Sequence, residues 1–317
     1  MTEIQGHRGA RAFRPENTLP GLAHALAIGV DALEFDVTLT CDGELILAHD
    51  LLVEAQTIRD TGPVTGRDAQ FPYVGKHWSQ LRLEQIQTLD AGYRRPPEPF
   101  TDTFEAVPGT GVPTLDQVCR LLIEASAERV TLAVELKTDP TWAVADVHAL
   151  TSGAIATLAG HGLTGRVRIL AFDWRVLEAA GKEDPAVPRV ALVEPQTWVP
   201  GSAWLAGRDP VAYPADAGGC ALAASDVGAL WVSPWDGMTS ADLITAAHRE
   251  DLRIAVWTVN DPARMTELLD LAADAIVTDR PGVLREVLAR RGEQLPVPCE
   301  LPWPGGVPAW APRVRTG

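Results

Sequence analysis

The sequence lacks the features that mark membrane-spanning, secreted and nucleic-acid-binding proteins. It contains no run of about 18 apolar residues, so we expect no transmembrane helix. Its first residues show no basic segment followed by an apolar one, so we expect no signal peptide and a cytoplasmic location. Lysine and arginine number 27 against 42 aspartate and glutamate. The resulting formal charge of −15 argues against nucleic acid or an anionic membrane surface as a partner.

Cysteine is also scarce. The four cysteines are far apart and form no CxxC pair: Cys41, Cys119, Cys220 and Cys299. A cysteine-based zinc site or redox motif is therefore not expected. With 317 residues the chain is long enough to bury a core that needs no disulfide framework, so we expect reduced thiols.

What the sequence does contain is a regular alternation of short apolar segments and amphipathic segments. Hydrophobic residues make up 46% and charged residues 22%, as in a folded globular protein. Strand-like segments that alternate with helical patterns indicate a parallel sheet, and eight such strands over this length favour a closed (β/α)₈ barrel. The predicted strands are residues 4–8, 32–37, 130–137, 167–173, 189–193, 229–233, 252–259 and 274–279.

Two segments depart from this alternation. Residues 50–113 follow the second predicted strand, are rich in proline and glycine, and are too long for an ordinary connection, which predicts a small insertion. The segment from residue 292 onward contains prolines that prevent a helix from continuing, so we expect a tail that wraps the surface or is disordered.

The second predicted strand carries two acidic residues on one face. Because side chains alternate along a strand, Leu33, Phe35 and Val37 share one face, and Glu34 and Asp36 share the other. The apolar face should contact the surrounding helices, so we expect both carboxylates to point into the barrel. A strand end that faces solvent is the alternative explanation.

The strand over 130–137 repeats this arrangement with Glu135 and Lys137 facing inward near its C-terminal end, where barrels hold their active sites. Acidic groups that converge in a confined mouth repel one another, so either their pKa values rise or a cation binds among them. Oxygen ligands favour Mg²⁺ or Ca²⁺ over zinc. Such an ion would also give this acidic protein a local positive site for an anionic substrate.

Two histidines flank the acidic strand. His7 ends the first strand beside Arg8, and His49 follows the second strand closely. An imidazole with a pKa near neutrality suits proton transfer in phosphodiester hydrolysis, and Arg8 suits phosphate oxygens. The other histidines have no such neighbours in the sequence and are interpreted as surface or packing residues: His24, His77, His148, His161 and His248.

Together these motifs resemble the glycerophosphodiester phosphodiesterase family. Residues 6–50 hold HRG, PENT, the ExDV strand, TxDG and HD in the family's order and spacing. Further matches are PTL at 113–115, VELK at 134–137, VWTVN at 256–260 and VTDRP at 277–281. The resemblance implies a TIM barrel over residues 1–291, with the family's insertion at about 50–113. The prolines place a tail after it, over 292–317.

The resemblance also implies roles for individual residues. The implied ligands of one divalent cation, Mg²⁺ or Ca²⁺, are Glu34, Asp36 and Glu135. The implied acid–base pair is His7 and His49, and the implied phosphate-binding cations are Arg8 and Lys137.

Three further positions remain open at the level of sequence. Glu16 in PENT has two possible roles. It is either a site residue that contacts Arg8 or the metal, or an acid in the first turn of the helix, where the helix dipole stabilises a negative charge. Either Asn17 or Thr18 should cap the first helix. Trp257 is expected on the inward face of its strand, where it either forms a wall of the substrate pocket or packs in the barrel core.

The activity implied by the resemblance is hydrolysis of glycerophosphodiesters to sn-glycerol 3-phosphate and an alcohol. A lysophospholipase D-like activity on acyl-bearing phosphodiesters is an alternative, because Trp78, Trp198, Trp204 and Trp235 fall in predicted loops. A catalytically silent barrel that serves as a binding protein is a second alternative, and a barrel aldolase that uses Lys137 is a third. The expected partner is a small-molecule glycerophosphodiester, and neither nucleic acid nor stable membrane insertion is expected.

Overall fold

The computed structural model describes residues 1–93 and 100–314. Within them, eight parallel strands form a closed barrel, because the first strand pairs with both the second and the last. A ninth, short strand (β3) pairs antiparallel with the second. In chain order the strands are β1 (Glu3–Gly6), β2 (Ala32–Leu39), β3 (Leu45–Leu47), β4 (Thr131–Leu136), β5 (Val167–Ala171), β6 (Arg189–Val193), β7 (Trp231–Pro234), β8 (Arg253–Val256) and β9 (Ala275–Thr278).

A helix follows each barrel strand, as the predicted (β/α)₈ barrel requires, and the fold prediction is confirmed. A one-turn helix, α2, lies outside this series, in the insertion. In the described part of the chain the helices are α1 (Leu19–Ile28), α2 (Leu83–Ile86), α3 (Leu115–Glu124), α4 (Val144–Gly160), α5 (Trp174–Glu183), α6 (Gly218–Asp226), α7 (Ala241–Arg249), α8 (Pro262–Asp270) and α9 (Pro281–Arg290).

Each barrel strand has one face toward the helices and one toward the barrel axis. Leu33, Phe35 and Val37 belong to the large core that the helices share with the strands. A second, smaller cluster that includes Leu170 and Val277 fills the barrel interior. The alternation expected for β2 is therefore observed, and it directs the polar residues of that strand inward.

The insertion packs around its own apolar cluster, which includes Ile58, Tyr73, Trp78 and Leu89. Strand β3, which lies just before the insertion, contributes Ile46 to this cluster and pairs with the end of β2. A cluster of this kind allows the segment to hold a fixed shape beside the barrel mouth, because buried apolar surface stabilises it independently of regular secondary structure.

The segment after α9 lies along the outside of the barrel. Cys299 N donates to Leu26 O at the end of α1, and Trp310 Nε1 donates to Glu124 in α3. Gly111 N donates to Pro312 O, which joins this segment to the end of the insertion. The division of the chain at residue 291 into a barrel and a tail stays a prediction.

Among the described helices, none is both long and apolar enough to cross a bilayer. The expected cytoplasmic location stays a prediction. The four cysteines are free thiols: Cys41, Cys119, Cys220 and Cys299.

Candidate active site

A cleft of about 390 Å³ opens at the mouth of the barrel. We call it the mouth cleft. It lies at the C-terminal ends of the strands, which is where TIM barrels hold their catalytic groups. Charged residues from the first strands form one side of it, and apolar residues from the later strands form the other. The charged side holds His7, Arg8, Glu34, His49 and Glu135, and the apolar side includes Leu170, Phe172, Leu192, Trp257 and Val277.

Three buried carboxylates converge at the charged side of the mouth cleft. The register between β2 and β4 places Asp36 opposite Glu135, and Glu34 lies two residues earlier on the same face of β2. One oxygen from each carboxylate lies within 4.8 Å of the others. This convergence follows from the alternation of side chains on two neighbouring strands.

The composition of this cluster fits a hard divalent cation. Asp36 Oδ1 is buried and has no hydrogen-bond partner, although a buried carboxylate oxygen normally has one. Burial, together with the neighbouring charges of Asp36 and Glu135, raises the pKa of Glu34 well above its ordinary value. A cation among these oxygens would satisfy Asp36 and favour the charged form of Glu34.

Lys137 lies beside the same carboxylates. Its Nζ is 2.6 Å from Glu135 Oε1 and 3.6 Å from Asp36 Oδ1. Burial alone would lower the pKa of Lys137, but the two carboxylates raise it. Burial would likewise raise the pKa of Asp36, but Lys137, His49 and Arg8 hold it below its usual range. Lys137 is therefore a fixed positive charge at the edge of the acidic cluster.

Arg8 connects the first strand to the acidic cluster. Its backbone N donates to Glu34 Oε2 at 2.8 Å, and its Nε lies 3.3 Å from Asp36 Oδ2. Arg8 has a φ of +48°, a conformation that is uncommon for a residue other than glycine. This turn directs both the amide and the guanidinium of Arg8 toward the carboxylates.

His7 is held by a carboxylate from the opposite end of the chain. Its Nδ1 lies 2.6 Å from Asp279 Oδ1, immediately after β9, which pairs with β1. Asn260 Nδ2 donates to the other oxygen of Asp279 at 2.8 Å. Burial and the nearby Arg8 lower the pKa of His7, while Asp279 opposes that shift. The result is an oriented imidazole that is mostly neutral at pH 7, with Nε2 left for the mouth cleft.

His49 reaches the site through strand β3. This strand folds back along β2, and Ala48 N donates to Asp36 O, so the next residue lies beside the acidic cluster. His49 Nδ1 is 3.0 Å from Asp50 Oδ1, and its side chain is 33% exposed. The two histidines therefore differ in environment, one being buried and the other open to the cleft.

The PENT segment supplies supporting contacts around Arg8 and Asp36. Glu16 binds Arg8 Nη1 at 2.8 Å and Arg11 Nε at 2.7 Å, and it precedes the first turn of α1. Asn17 donates to Asp36 Oδ2 at 2.8 Å and accepts from Asp36 N. Thr18 is the residue that caps α1, accepting from Gly21 N. Glu16 therefore lies outside the first turn of α1, and the interpretation of Glu16 as a first-turn acid is not observed.

Two aromatic residues form the apolar side of the mouth cleft. Trp257 and Phe172 meet edge to face with ring centroids 5.5 Å apart. Trp257 Nε1 donates to Ser233 O, which fixes the indole in place. Lys137 Nζ lies 5.7 Å from the centre of the Phe172 ring. Trp257 therefore lines the cleft and also packs against the barrel interior, so both readings made from the sequence describe part of its environment.

Sequence reasoning missed several residues of this site, namely Arg11, Phe172, Asn260 and Asp279. Asp279 and Asn260 lie inside the VTDRP and VWTVN matches, but no separate signal gave them a role. Their contacts depend on closure of the barrel, which brings the last strand beside the first. Asn17, one of the two residues considered from the sequence as the cap of the first helix, instead holds Asp36.

Comparison with known proteins agrees with this geometry. The model of the glycerophosphoryl diester phosphodiesterase family matches residues 7–283. A glycerophosphodiester phosphodiesterase from Caldanaerobacter subterraneus subsp. tengcongensis is 24% identical over 296 residues, which cover 92% of this chain and 99% of the relative. A glycerophosphodiester phosphodiesterase from Bacillus subtilis is 25% identical over 288 residues, covering 89% of this chain and 84% of the relative.

Solved structures resemble the fold closely. A protein from Silicibacter pomeroyi, assigned to the glycerophosphoryl diester phosphodiesterases, superposes with a TM-score of 0.80 at 26% identity, covering 93% of this chain and 95% of that one. A phosphodiesterase from Oleispira antarctica, solved with the product sn-glycerol-3-phosphate, gives a TM-score of 0.67 at 18% identity. This superposition covers 91% of this chain and 97% of the Oleispira antarctica protein.

Proposed function

Because the chain belongs to the glycerophosphoryl diester phosphodiesterase family and is a phosphoric diester hydrolase, we propose that it hydrolyses glycerophosphodiesters with a bound divalent cation. The proposed products are sn-glycerol 3-phosphate and a free alcohol. The phosphodiesterase of Oleispira antarctica, which has this fold, was solved with that phosphate as its product. The proposed partner is thus a small molecule.

One observation carries the mechanism. The oxygens of Glu34, Asp36 and Glu135 lie within 4.8 Å of one another, and the cleft beside them is also lined by His7 and His49. A site with ligands for a cation and two imidazoles has the groups that metal-assisted phosphodiester hydrolysis needs. In this proposal the three carboxylates hold one Mg²⁺ or Ca²⁺ ion.

The chain's own cations would bind the phosphate. Arg8 presents a guanidinium whose buried Nε lies near Asp36 but has no hydrogen-bond partner, and Lys137 presents an ammonium beside Glu135. Both can bind non-bridging phosphate oxygens through charge-assisted hydrogen bonds. A divalent ion bound by the carboxylates would add Lewis-acid polarisation of the phosphate and would lower the pKa of a coordinated hydroxyl.

The two histidines would move the protons. One takes a proton from the attacking oxygen, which belongs to water or to the glycerol 2-hydroxyl, and the other gives a proton to the departing alcohol. Asp279 fixes the His7 ring through Nδ1, and Asp50 does the same for His49. Each carboxylate thereby leaves Nε2 of its histidine free to act on the substrate.

The environment of the loop tryptophans gives little support to an acyl-bearing substrate. Trp78 is only 2% exposed, and Trp198 packs against Trp174 with ring centroids 6.4 Å apart. Trp204 is half-buried, and Trp235, at 43% exposed, is the most open of the four. The lysophospholipase D-like alternative therefore rests on weaker structural grounds. Comparing hydrolysis of glycerophosphocholine with that of lysophosphatidylcholine distinguishes the two activities.

The proposal is tested by incubating the purified protein with glycerophosphocholine and following the products by phosphorus NMR. We expect glycerol 3-phosphate to form, to stop forming in EDTA, and to form again when Mg²⁺ or Ca²⁺ is restored. Asp36→Asn should abolish turnover, whereas Glu44→Gln, which changes an exposed acid immediately before β3, should not. Turnover that persists in EDTA would refute the metal role, and no turnover under any condition would favour a silent barrel.

A further inference from the structure

Two carboxylates of the acidic cluster each have one oxygen held by a neighbouring group of the chain. Arg8 N donates to Glu34 Oε2 at 2.8 Å, and Lys137 Nζ donates to Glu135 Oε1 at 2.6 Å. An oxygen that accepts such a bond is less available to a cation, because the ion would have to displace the donor. These two residues are therefore arranged to offer a cation one oxygen each.

The third carboxylate, that of Asp36, is held by a side-chain amide. Asn17 Nδ2 donates to Asp36 Oδ2 at 2.8 Å, and Asn17 Oδ1 accepts from Asp36 N at 3.1 Å. A backbone N–H can only donate, so the second bond fixes which end of the amide faces the carboxylate. Arg8 Nε lies 3.3 Å from the same Oδ2 but forms no hydrogen bond. The amide therefore occupies Oδ2 and leaves Oδ1, which has no hydrogen-bond partner, for an ion.

The backbone around Asn17 fixes the amide for this contact. Asn17 has a φ of +52°, a left-handed conformation that asparagine tolerates better than most residues, and its N donates to Arg8 O at 3.2 Å. On the other side, Thr18 caps α1 and donates to Pro15 O at 2.7 Å. Asn17 is itself only 5% exposed. The amide is thus already ordered before an ion binds, and its ordering costs nothing at that moment.

We propose that Asn17 is a positioning residue that makes Asp36 a ligand through one oxygen, and that it thereby raises the affinity of the site for Mg²⁺ relative to Ca²⁺. This inference rests on the proposed function, since it assumes that the acidic cluster binds a divalent cation. Mg²⁺ requires nearly octahedral coordination and few protein oxygens, whereas Ca²⁺ accepts more oxygens, including both oxygens of one carboxylate. A carboxylate that is free to turn both oxygens toward the ion therefore favours Ca²⁺.

This role differs from a purely structural one in a measurable way. General loosening of the cluster would weaken the binding of both ions alike. Loss of the bond to Asp36 Oδ2 releases a second oxygen to the ion, so it weakens the binding of Mg²⁺ more than that of Ca²⁺. The ratio of the two dissociation constants therefore reports on the bond from Asn17.

The experiment measures the Kd of Mg²⁺ and the Kd of Ca²⁺ for the metal-free full chain by isothermal titration calorimetry. Asn17→Gly removes the amide and tolerates the positive φ. We expect the ratio of the Kd for Mg²⁺ to the Kd for Ca²⁺ to rise about tenfold, the scale on which hydrogen-bond partners of metal ligands act. Ser126→Gly is the matched control, because Ser126 is exposed after α3 and has a φ of +49°. It should leave the ratio unchanged.

Asn17→Asp provides a second test that keeps the shape of the side chain. Its carboxylate can still accept from Asp36 N, but in place of the donor it brings an oxygen that repels Asp36 Oδ2. The ratio should therefore rise in this variant also, although it adds a negative charge and Asn17→Gly adds none. An unchanged ratio in either variant would overturn the inference.

Hydrolysis of glycerophosphocholine separates this inference from the proposed function. If the unmodified protein hydrolyses this diester and the ratio does not respond to the changes at Asn17, the inference is overturned and the proposed function stands. If the ratio rises as expected but neither ion supports hydrolysis, the proposed function fails and Asn17 remains a determinant of ion binding. If neither ion binds to the unmodified protein, the inference and the metal role in the proposed function are both refuted.

Discussion

Asp279 places its Oδ1 2.6 Å from Nδ1 of His7, so a residue that follows the last strand orients a ring that follows the first. Asp279 is itself 2% exposed and is held by Asn260 through Nδ2. Such an arrangement selects the imidazole tautomer that carries its proton on Nδ1 and leaves Nε2 as the acceptor. We therefore assign Asp279 a positioning role toward His7.

Replacing Asp279 by Asn should lower kcat by about 100-fold or more, because an amide can donate to Nδ1 and favour the wrong tautomer. The pH profile should also move. Since Asp279 raises the pKa of His7, its removal lowers that pKa further, and the limb of the kcat/KM profile that His7 controls should shift to lower pH. The measurement is kcat/KM for glycerophosphocholine between pH 5 and pH 9, within the range about neutrality where imidazoles titrate.

Arg11→Gln should shift the pH profile in the opposite direction from the replacement of Asp279. Arg11 lowers the pKa of His7, so its removal should shift the same limb to higher pH. A purely structural role for Asp279 would reduce activity in both variants without moving the limb in opposite directions, and that result would contradict the assignment.

Removing either imidazole should strongly reduce turnover. We expect His7→Ala and His49→Ala each to reduce turnover of glycerophosphocholine by at least about 100-fold, the usual scale for loss of a general acid or base. His148→Ala is the control, because His148 is exposed on α4 and should leave turnover unchanged. Near-normal turnover in either of the first two variants would exclude that histidine from the mechanism.

The barrel could be predicted from the sequence because its signals are local. In β2, the alternation of Leu33, Phe35 and Val37 with acidic residues fixes which face contacts the helices, and it therefore also fixes where Glu34 and Asp36 point. The order of strands and helices then leaves few alternatives for the topology. The inward direction of the acidic residues thus follows from neighbours along the same strand.

The remaining parts of the site depend on contacts between distant segments. The bond between His7 and Asp279 joins residues that are 272 positions apart, and only closure of the barrel brings them together. Strand β3 has three residues, too few for a pattern, yet it delivers His49 to the site. Asn17 precedes a helix and therefore has the sequence signature of a cap, but the adjacent Thr18 takes that role and leaves Asn17 for Asp36.

Lys137→Met should weaken catalysis and destabilise the protein in the absence of metal. Its ammonium lies 2.6 Å from Glu135 and 3.6 Å from Asp36, so its loss leaves two buried carboxylates without their shared cation. We expect kcat/KM to fall at least about tenfold and the metal-free Tm to decrease. Lys182→Met is the control, since Lys182 is exposed on α5. An unchanged kcat/KM would make Lys137 a structural ion-pair partner only.

Glu34→Gln should abolish activity but, unlike Lys137→Met, should stabilise the metal-free protein. Burial and the charges of Asp36 and Glu135 raise the pKa of Glu34. A raised pKa means that this carboxyl stabilises the fold at low pH and that the contribution is lost as the pH rises through the folded-state pKa. Glutamine is uncharged at pH 7, so neither burial nor the charges of Asp36 and Glu135 disfavour it. Its amide oxygen can still accept the hydrogen bond from Arg8 N.

Without metal, the Tm of Glu34→Gln at pH 7 should therefore exceed that of the unmodified protein by roughly 1–3 °C. Added Mg²⁺ or Ca²⁺ should raise the Tm of the unmodified protein but not that of the variant, since ligand binding stabilises only a chain that can bind. Glu44→Gln, which changes an exposed acid immediately before β3, should behave as the unmodified protein in both measurements. A variant that keeps the full metal-induced rise in Tm would show that Glu34 is not a ligand, because an ion held by the other carboxylates alone would then account for all of the binding.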